Sequence, residues 1–174
     1  MTSHPQPRPR VFGVDPGKKA AVAVWEIGAS VPMHVERVDG QNAADITESV
    51  LRLYDKWSPI MGMAIEDQHH HVIGRGKRGE PVRAAFDGVK TLIRSGARFQ
   101  QEWERIPGAS PVTWVDPAVW QKAMLGGHRK SAEIKKLAVN LVIPMVGRKV
   151  SVDEGCAVLI AQWFAKELQL ADGR

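Results

Sequence analysis

Residues 11–17 read VFGVDPG, a short apolar run that ends in an aspartate and a turn. The run predicts a buried strand over residues 11–14, and Asp-Pro-Gly is a good turn sequence in its own right. Asp15 stands where the predicted strand ends, and a carboxylate in that place is costly unless it is solvated, paired or bound to a cation. Because a turn alone would explain Asp15, its meaning depends on acidic residues elsewhere in the chain.

Two further acidic residues occupy similar places. Glu66 follows a predicted strand over residues 60–65, and Asp153 opens an apolar helix near the C-terminus. Three carboxylates converging in one domain would form an oxygen site suited to Mg²⁺ or Mn²⁺. Asp67 is adjacent to Glu66 and would point to the opposite side of the strand, and the apolar run leaves open which of the two faces the site.

The remaining pattern predicts an α/β domain. Helices are predicted over residues 42–57, 81–95, 131–142 and 151–170, with a short helix capped by Asp116 that ends at Gly126. Strands are predicted over residues 11–14, 20–25, 33–38, 60–65 and 112–115. This order implies a mixed sheet with helices on its faces. Asp15 and Glu66 would meet only if the first and fourth strands are neighbours, which the pattern permits without proving.

Length and composition narrow the class of protein. The 174 residues fit one domain over residues 11–170, after a proline-rich leader at residues 1–10 that is predicted to be disordered and lacks the apolar region of a signal peptide. No apolar stretch approaches the roughly 20 residues that a membrane-spanning helix needs. The single cysteine excludes an intramolecular disulfide and suits a reducing cytosol.

The charge favours a polyanionic partner. The chain carries a net charge of +5, with a pI of about 9.6. Basic residues form four clusters in or beside connecting segments, and together they predict a phosphate-binding surface. Two of the clusters are Lys135 with Lys136 and Arg148 with Lys149. We assign phosphate contacts to the residues of the other two, which are Arg75, Lys77, Arg78, Arg129 and Lys130. For any one cluster, an ordinary solvated surface is an equally good explanation.

Two other groups of residues are assigned no site. The consecutive residues His69, His70 and His71 cannot all face one ion on an extended loop, and no Cys or His with ligand spacing accompanies them, so a zinc site is not predicted. One imidazole could stack on a base, although solvation is the plainer role. The six tryptophans are interpreted as core residues.

Four segments, in this order along the chain, resemble the motifs of the RuvC family of Holliday-junction resolvases, which belong to the ribonuclease H-like superfamily. They are VFGVDPG at residues 11–17, AIEDQ at 64–68, VTWVDPAVWQK at 112–122 and DEGCAVLIA at 153–161. The third is similar to the phage and organellar branch of that family. The resemblance implies a ribonuclease H-like fold, with a mixed five-stranded sheet flanked by helices.

The resemblance also implies a function. It makes Asp15, Glu66 and Asp153 the catalytic metal ligands, with Asp15 bridging two Mg²⁺ (or Mn²⁺) ions, and it makes Lys122 a catalytic or phosphate-binding residue. Such an enzyme would nick four-way DNA junctions symmetrically as a homodimer, with the helix that carries Phe86, or the loop before it, as the expected dimer surface. We expect a cytoplasmic location in a bacterial or phage setting, with an organelle as the alternative.

One residue departs from the family pattern. Cys156 stands where the family has its fourth acid, and a thiol is a soft ligand that suits Mg²⁺ poorly. Glu154 is the nearest carboxylate, but it lies about 100° around the helix from Asp153. Residues Ser151 to Glu154 also predict a capping box, which would occupy Glu154 structurally.

Cys156 therefore leaves open an alternative function, a junction-binding protein with weakened or absent cleavage. A different class remains as well, because nucleotide-binding proteins of the actin and sugar-kinase kind carry a similar Gly-x-Asp-x-Gly loop. Those proteins clasp ATP between two related domains, and this chain is too short for two.

Overall fold

The computed structural model describes residues 8–67, 83–127 and 131–173, and for residues 83–89 and 131 it describes the backbone alone. The strands are β1 (Arg10–Asp15), β2 (Lys19–Glu26), β3 (His34–Asp39), β4 (Ile60–Glu66) and β5 (Thr113–Val115). The helices are α1 (Ala43–Trp57), α2 (Arg83–Glu104), α3 (Pro117–Leu125), α4 (Ser131–Val146) and α5 (Val152–Ala171). Within these ranges, no helix is long and apolar enough to cross a membrane.

The strands form one mixed sheet in the order β3-β2-β1-β4-β5. β1 is antiparallel to β2 and parallel to β4, and β5 is parallel to β4. The predicted mixed five-stranded sheet is thus confirmed, and the first and fourth strands are neighbours. Because parallel strands end at the same edge of a sheet, the last residues of β1 and β4 lie side by side.

Helices cover both faces of the sheet. Apolar side chains of α1 and α2, including Ile46 and Phe99, pack with Phe12 and Val14 on one face. α5 lies across the other face, and α3 and α4 pack against α5. Small residues make this close approach possible, since Gly13 is in register with Ala23 on β2 and with Ala64 on β4.

The α2 helix is longer than predicted. The expected end at residue 95 was wrong, because the helix continues through Gly96 to Glu104. A Cβ at position 96 would lie 2.8 Å from the Trp114 ring, so glycine here serves close packing and not termination. Beyond it, Phe99 and Trp103 are fully buried, and this burial outweighs the low helix propensity of one glycine.

The α4 helix also passes its predicted end. Pro144 was expected to end the helix after residue 142. It lies inside the helix, which ends at Val146. Proline costs the helix the hydrogen bond that residue 144 would donate to Asn140. The loss is local because the helix closes one turn later, where Gly147 (φ 72°) donates its N–H to the Ile143 carbonyl at 2.9 Å.

Ordered pairing starts just before the predicted first strand. Arg10 belongs to β1, and the Pro9 carbonyl accepts a hydrogen bond from the Ile27 N–H at 2.9 Å. The rest of the predicted leader, residues 1–7, lies outside the described residues.

Candidate functional site

A cleft of about 660 Å³ opens at the edge where β1 and β4 end. Its lining comes from the β1–β2 turn, the end of β4 and one side of each of four helices. The lining residues are Asp15, Pro16, Gly17, Lys18, Lys19, Glu66, Leu92, Gln121, Ile134, Lys135, Val152, Asp153 and Cys156.

Strand register places Asp15 and Glu66 together. Val14 pairs with Ile65, and both face the core under α1 and α2. Since side chains alternate along a strand, the following residues, Asp15 and Glu66, both face α5. Asp67 is not among the cleft residues, and its N–H donates to the Val115 carbonyl at 2.8 Å. The register therefore selects Glu66 over Asp67.

The first turn of α5 supplies the other two groups. Asp153 and Cys156 are three residues apart, so they lie on the same side of the helix and both line the cleft. Glu154 points elsewhere: its carboxylate accepts the Ser151 N–H at 2.7 Å and an Arg148 N–H at 2.8 Å. The predicted capping box is confirmed, and Glu154 is a structural residue.

Crowded negative charge dominates the electrostatics of the cleft. Burial raises the pKa of the Asp15 carboxyl well above its usual range, and the charges of Glu66 and Asp153 raise it further. Burial raises the pKa of the Cys156 thiol as well, and its acidic neighbours add to that effect. The thiol therefore keeps its proton and donates it in a hydrogen bond to Asp15.

Basic residues around the cleft partly offset this charge. Burial raises the pKa of the Asp153 carboxyl, whereas Arg37, Lys135 and Lys19 lower it. Lys135, on α4, also lowers the pKa of Asp15. The carboxylates thus lie in a negative cleft whose edge is positive, an arrangement that suits a cation bound together with a polyanion.

Trp120 holds one oxygen of Glu66. Its indole Nε1 donates to Glu66 Oε2 at 2.7 Å, and the two side chains are 0% and 7% exposed. The tryptophan is carried by α3, which starts as predicted with Asp116 as N-cap and Pro117 in its first turn. Sequence reasoning assigned Trp120 to the core and missed this contact. The available signal was its place in the third family-like segment.

The turn after Asp15 is fixed by two contacts. Gly17 donates its N–H to the buried Ser95 hydroxyl of α2 at 3.3 Å, and Gly40 donates to the Lys18 carbonyl at 3.2 Å. A Cβ at position 40 would overlap the Gly17 carbonyl oxygen, so the contact requires glycine. The backbone that carries Asp15 into the cleft is held from two sides.

Other predicted site residues lie elsewhere. Lys122 is exposed on α3 and is not among the cleft residues. Its neighbour Gln121, and Lys135 of α4, line the cleft instead. The following residues lie outside the part of the chain whose side chains the structure describes: His69, His70, His71, Arg75, Lys77, Arg78, Phe86, Arg129 and Lys130.

The chemistry of the donors fits a hard divalent cation. Asp15, Glu66 and Asp153 offer carboxylate oxygens, which Mg²⁺ and Mn²⁺ prefer, and a cation would relieve their mutual repulsion. As the side chains stand, no three His, Cys, Asp or Glu residues of the described ranges are gathered closely enough to hold one ion. The protonated Cys156 would be the weakest donor of the group.

Comparisons with known proteins give structural relatives alone. No protein-family model matches the chain, and no curated protein matches it. Among solved structures, a Thermus thermophilus RuvC in complex with a Holliday junction substrate matches with a TM-score of 0.56 and 19% identity, over 91% of this chain and 95% of that one. A second Thermus thermophilus RuvC structure matches with a TM-score of 0.53 and 18% identity, over 91% and 96% of the two chains.

The chain has the RuvC fold. The ribonuclease H-like architecture expected from the four segments is therefore confirmed. At 18–19% identity, the likeness to RuvC extends to the fold alone.

Proposed function

We propose that this chain is a metal-dependent, structure-selective DNA endonuclease that nicks four-way junctions symmetrically. The observation that carries the proposal is the convergence of Asp15, Glu66 and Asp153 on one cleft from β1, β4 and α5. The RuvC fold supports the choice of branched DNA, because one of the matching RuvC structures contains a Holliday junction substrate. On the basis of the third segment, residues 112–122, we propose an affiliation with the phage and organellar branch.

Asp15, Glu66 and Asp153 would hold Mg²⁺ or Mn²⁺, two ions in each site. Bound divalent ions would supply an activated water and would stabilise the charge on the leaving oxygen. The residues of the chain contribute position and charge: Trp120 orients Glu66, and Lys135 offsets part of the negative field. The raised pKa of Asp15 means that this carboxyl binds a proton readily until a cation replaces it.

Cys156 supports a second candidate, a junction-binding protein that cleaves slowly or not at all. Its thiol lies in the cleft at the position of the expected fourth acid, and it is hydrogen-bonded to Asp15. A protonated thiol contributes no negative charge to a metal site, so cation affinity should be lower than with a fourth carboxylate.

One experiment separates the two candidates. Cleavage of a labelled synthetic four-way junction is measured with Mg²⁺ or EDTA for the natural chain, Asp15→Asn and Cys156→Asp. For an endonuclease, the natural chain cuts with Mg²⁺, whereas Asp15→Asn binds the junction but cuts at background level. If the Cys156→Asp variant cuts and the natural chain does not, the natural chain is a junction-binding protein. Undiminished cleavage by Asp15→Asn would refute the metal-site assignment.

A second readout does not depend on activity. Asp15→Asn removes the cost of burying an ionisable carboxyl beside two other acids, so we expect a higher melting temperature than that of the natural chain without metal. It should also reduce the further rise in melting temperature that Mg²⁺ produces in the natural chain, since ligand binding stabilises the folded state. If neither Mg²⁺ nor Mn²⁺ changes the melting temperature of the natural chain, the proposed metal site is contradicted.

Symmetric nicking calls for two sites related by a two-fold axis, so we propose a homodimer. The helix that carries Phe86, or the loop before it, remains the proposed dimer surface. Sedimentation of the chain alone and with junction DNA measures the stoichiometry, and a single subunit per junction would contradict paired nicks. The segment with Arg75, Lys77 and Arg78 remains a proposed DNA contact.

A further inference from the structure

A second depression of about 310 Å³ adjoins the cleft, on the side of β2 and β3. It is lined by Lys18, Lys19, Arg37, Val38 and Asp39. Lys18 and Lys19 also line the carboxylate cleft, so the two hollows share a wall that carries two lysines. We refer to Lys18, Lys19 and Arg37 as the basic rim.

Strand register explains why these cations gather. Lys19 pairs with Asp39 and Ala21 pairs with Arg37, which puts Lys19 and Arg37 on the α5 face of the sheet in diagonal positions. Diagonal neighbours of this kind lie roughly 7–8 Å apart. Lys18 lies in the β1–β2 turn, three residues after Asp15. The basic rim therefore starts at the cleft that contains Asp15 and extends outward across β3.

The positive charge of the basic rim faces solvent and, in part, the Asp153 carboxyl, whose pKa Lys19 and Arg37 lower. All three side chains are exposed, and no ion pair within 4.0 Å engages them among the described residues, although arginines elsewhere on the surface are paired with glutamates. Asp39 lies in the same depression opposite Lys19, so its charge offsets part of the charge of the basic rim, and its Oδ1 accepts the Gln41 N–H at 2.9 Å.

The basic rim is also held in place. Ser95 and Gly40 fix the turn that carries Lys18, and Lys19 and Arg37 lie on paired strands. Because the backbone is already ordered, the conformational entropy lost when a ligand binds is limited to that of the three side chains. Two lysines and an arginine at such spacing match the repeated negative charge of a nucleic-acid backbone better than a single anion.

We propose that the basic rim binds the backbone phosphates of the DNA strand that enters the cleft, and so guides that strand over β2 and β3 towards Asp15. This inference rests on the proposed function and specifies the path of its substrate. The contacts go to phosphates, so they would position the strand without reading its sequence.

The test compares two double variants that lose the same charge. Lys18→Gln/Lys19→Gln alters the basic rim, and Lys56→Gln/Lys166→Gln removes two exposed lysines from the opposite end of the sheet. Lys56 lies over the Trp57 ring beside the start of β1. Lys166 lies two residues after Phe164, whose ring is close to Gly62 near the start of β4. Affinity for a fluorescent four-way junction is measured by anisotropy in EDTA across a salt series, and melting temperatures confirm folding.

For the rim variant, we expect about tenfold weaker binding and a slope of log affinity against log salt reduced by about 2. The control should retain the natural slope, and Lys18→Arg/Lys19→Arg should bind nearly as well as the natural chain. An unchanged slope in the rim variant, or an equal reduction in the control, would overturn the proposal that the basic rim binds DNA. If the natural chain still binds the junction, the proposed function is unaffected by that result. Failure of the natural chain to bind the junction would instead refute the proposed function itself.

Discussion

The indole N–H of Trp120 orients a carboxylate in the candidate site. A hydrogen bond from a neutral donor to an ionised acceptor is stronger than one between neutral groups, and this one is shielded from water. By donating to Oε2, Trp120 contributes to the orientation of the Glu66 carboxylate. Groups that orient metal ligands typically change metal affinity or activity by about 10–100-fold when they are removed.

We therefore predict that Trp120→Phe raises the Mg²⁺ concentration needed for half-maximal cleavage by about tenfold or more. Phenylalanine keeps an aromatic ring in the buried position but removes the donor to Glu66. The measurement is a Mg²⁺ titration of junction cleavage, together with a titration of the Mg²⁺-dependent rise in melting temperature.

Trp103→Phe provides a matched control. Trp103 is also fully buried, and its Nε1 donates to the Ser110 carbonyl at 2.7 Å, on the face of the sheet away from the cleft. Both variants should lose about 1–2 kcal/mol of stability, because each removes one hydrogen bond made by a buried indole. If both shift the Mg²⁺ dependence equally, or neither does, Trp120 has no specific role in the site.

At the scale of elements, Glu36 joins the edge strand β3 to helix α1. Its carboxylate accepts from the Ser49 hydroxyl at 2.6 Å and from Arg52 Nη2 at 2.6 Å, and His34 Nε2 lies 2.9 Å away. Burial alone would raise the pKa of Glu36, but these hydrogen bonds outweigh it and lower the pKa to about 2. The network holds the strand that carries Arg37.

A lowered pKa makes this network dependent on pH. The folded state favours the ionised form, so its stabilisation is complete above the ordinary value of 4.5 and is lost as the pH falls towards about 2. We predict that Glu36→Gln lowers stability at pH 7 and flattens the loss of stability between these two pH values. Urea unfolding from pH 2.5 to pH 7 measures both effects, with Glu133→Gln, an exposed acid on α4, as the control. A Glu36→Gln curve parallel to that of the natural chain would contradict the assignment.

The sequence indicated most elements and missed two helix ends. Capping signals were reliable because they are local: Asp116 and Ser151 cap their helices as predicted. Gly96 and Pro144 misled because their effect depends on neighbours. Packing against the Trp114 ring requires a glycine at position 96, and a proline two residues before a helix end costs only one hydrogen bond.

At the scale of the whole molecule, α5 is the central support. It crosses the sheet over β1 and β2 and presents Asp153 and Cys156 to the cleft. Its contact with β1 depends on Gly13, because a Cβ at that position would overlap backbone atoms of Ala157 and Ala161. Backbone on both sides leaves no side chain that could move aside.

We predict that Gly13→Ala destabilises the fold by about 3 kcal/mol or more, at the upper end of overpacking effects. Gly62→Ala is the control on the adjacent strand: its Cβ would lie 3.0 Å from the Phe164 ring, which can shift. Urea midpoints compare the two variants. A Gly13→Ala protein as stable as the natural chain would show that α5 can lift from the sheet at little cost.

The sequence by itself indicated most elements and the three candidate carboxylates, because strand patterns, caps and acidic positions are local properties, and the resemblance to the RuvC family singled out Cys156. The tertiary structure decided which of these groups meet. Pairing of β1 with β4 brought Asp15 to Glu66, and strand register turned Glu66 and not Asp67 into the cleft. It also placed Trp120 on Glu66 and gathered the basic rim. Such contacts join residues far apart in the chain, and no local pattern specifies them, because they depend on strand order, on register and on the seating of α5.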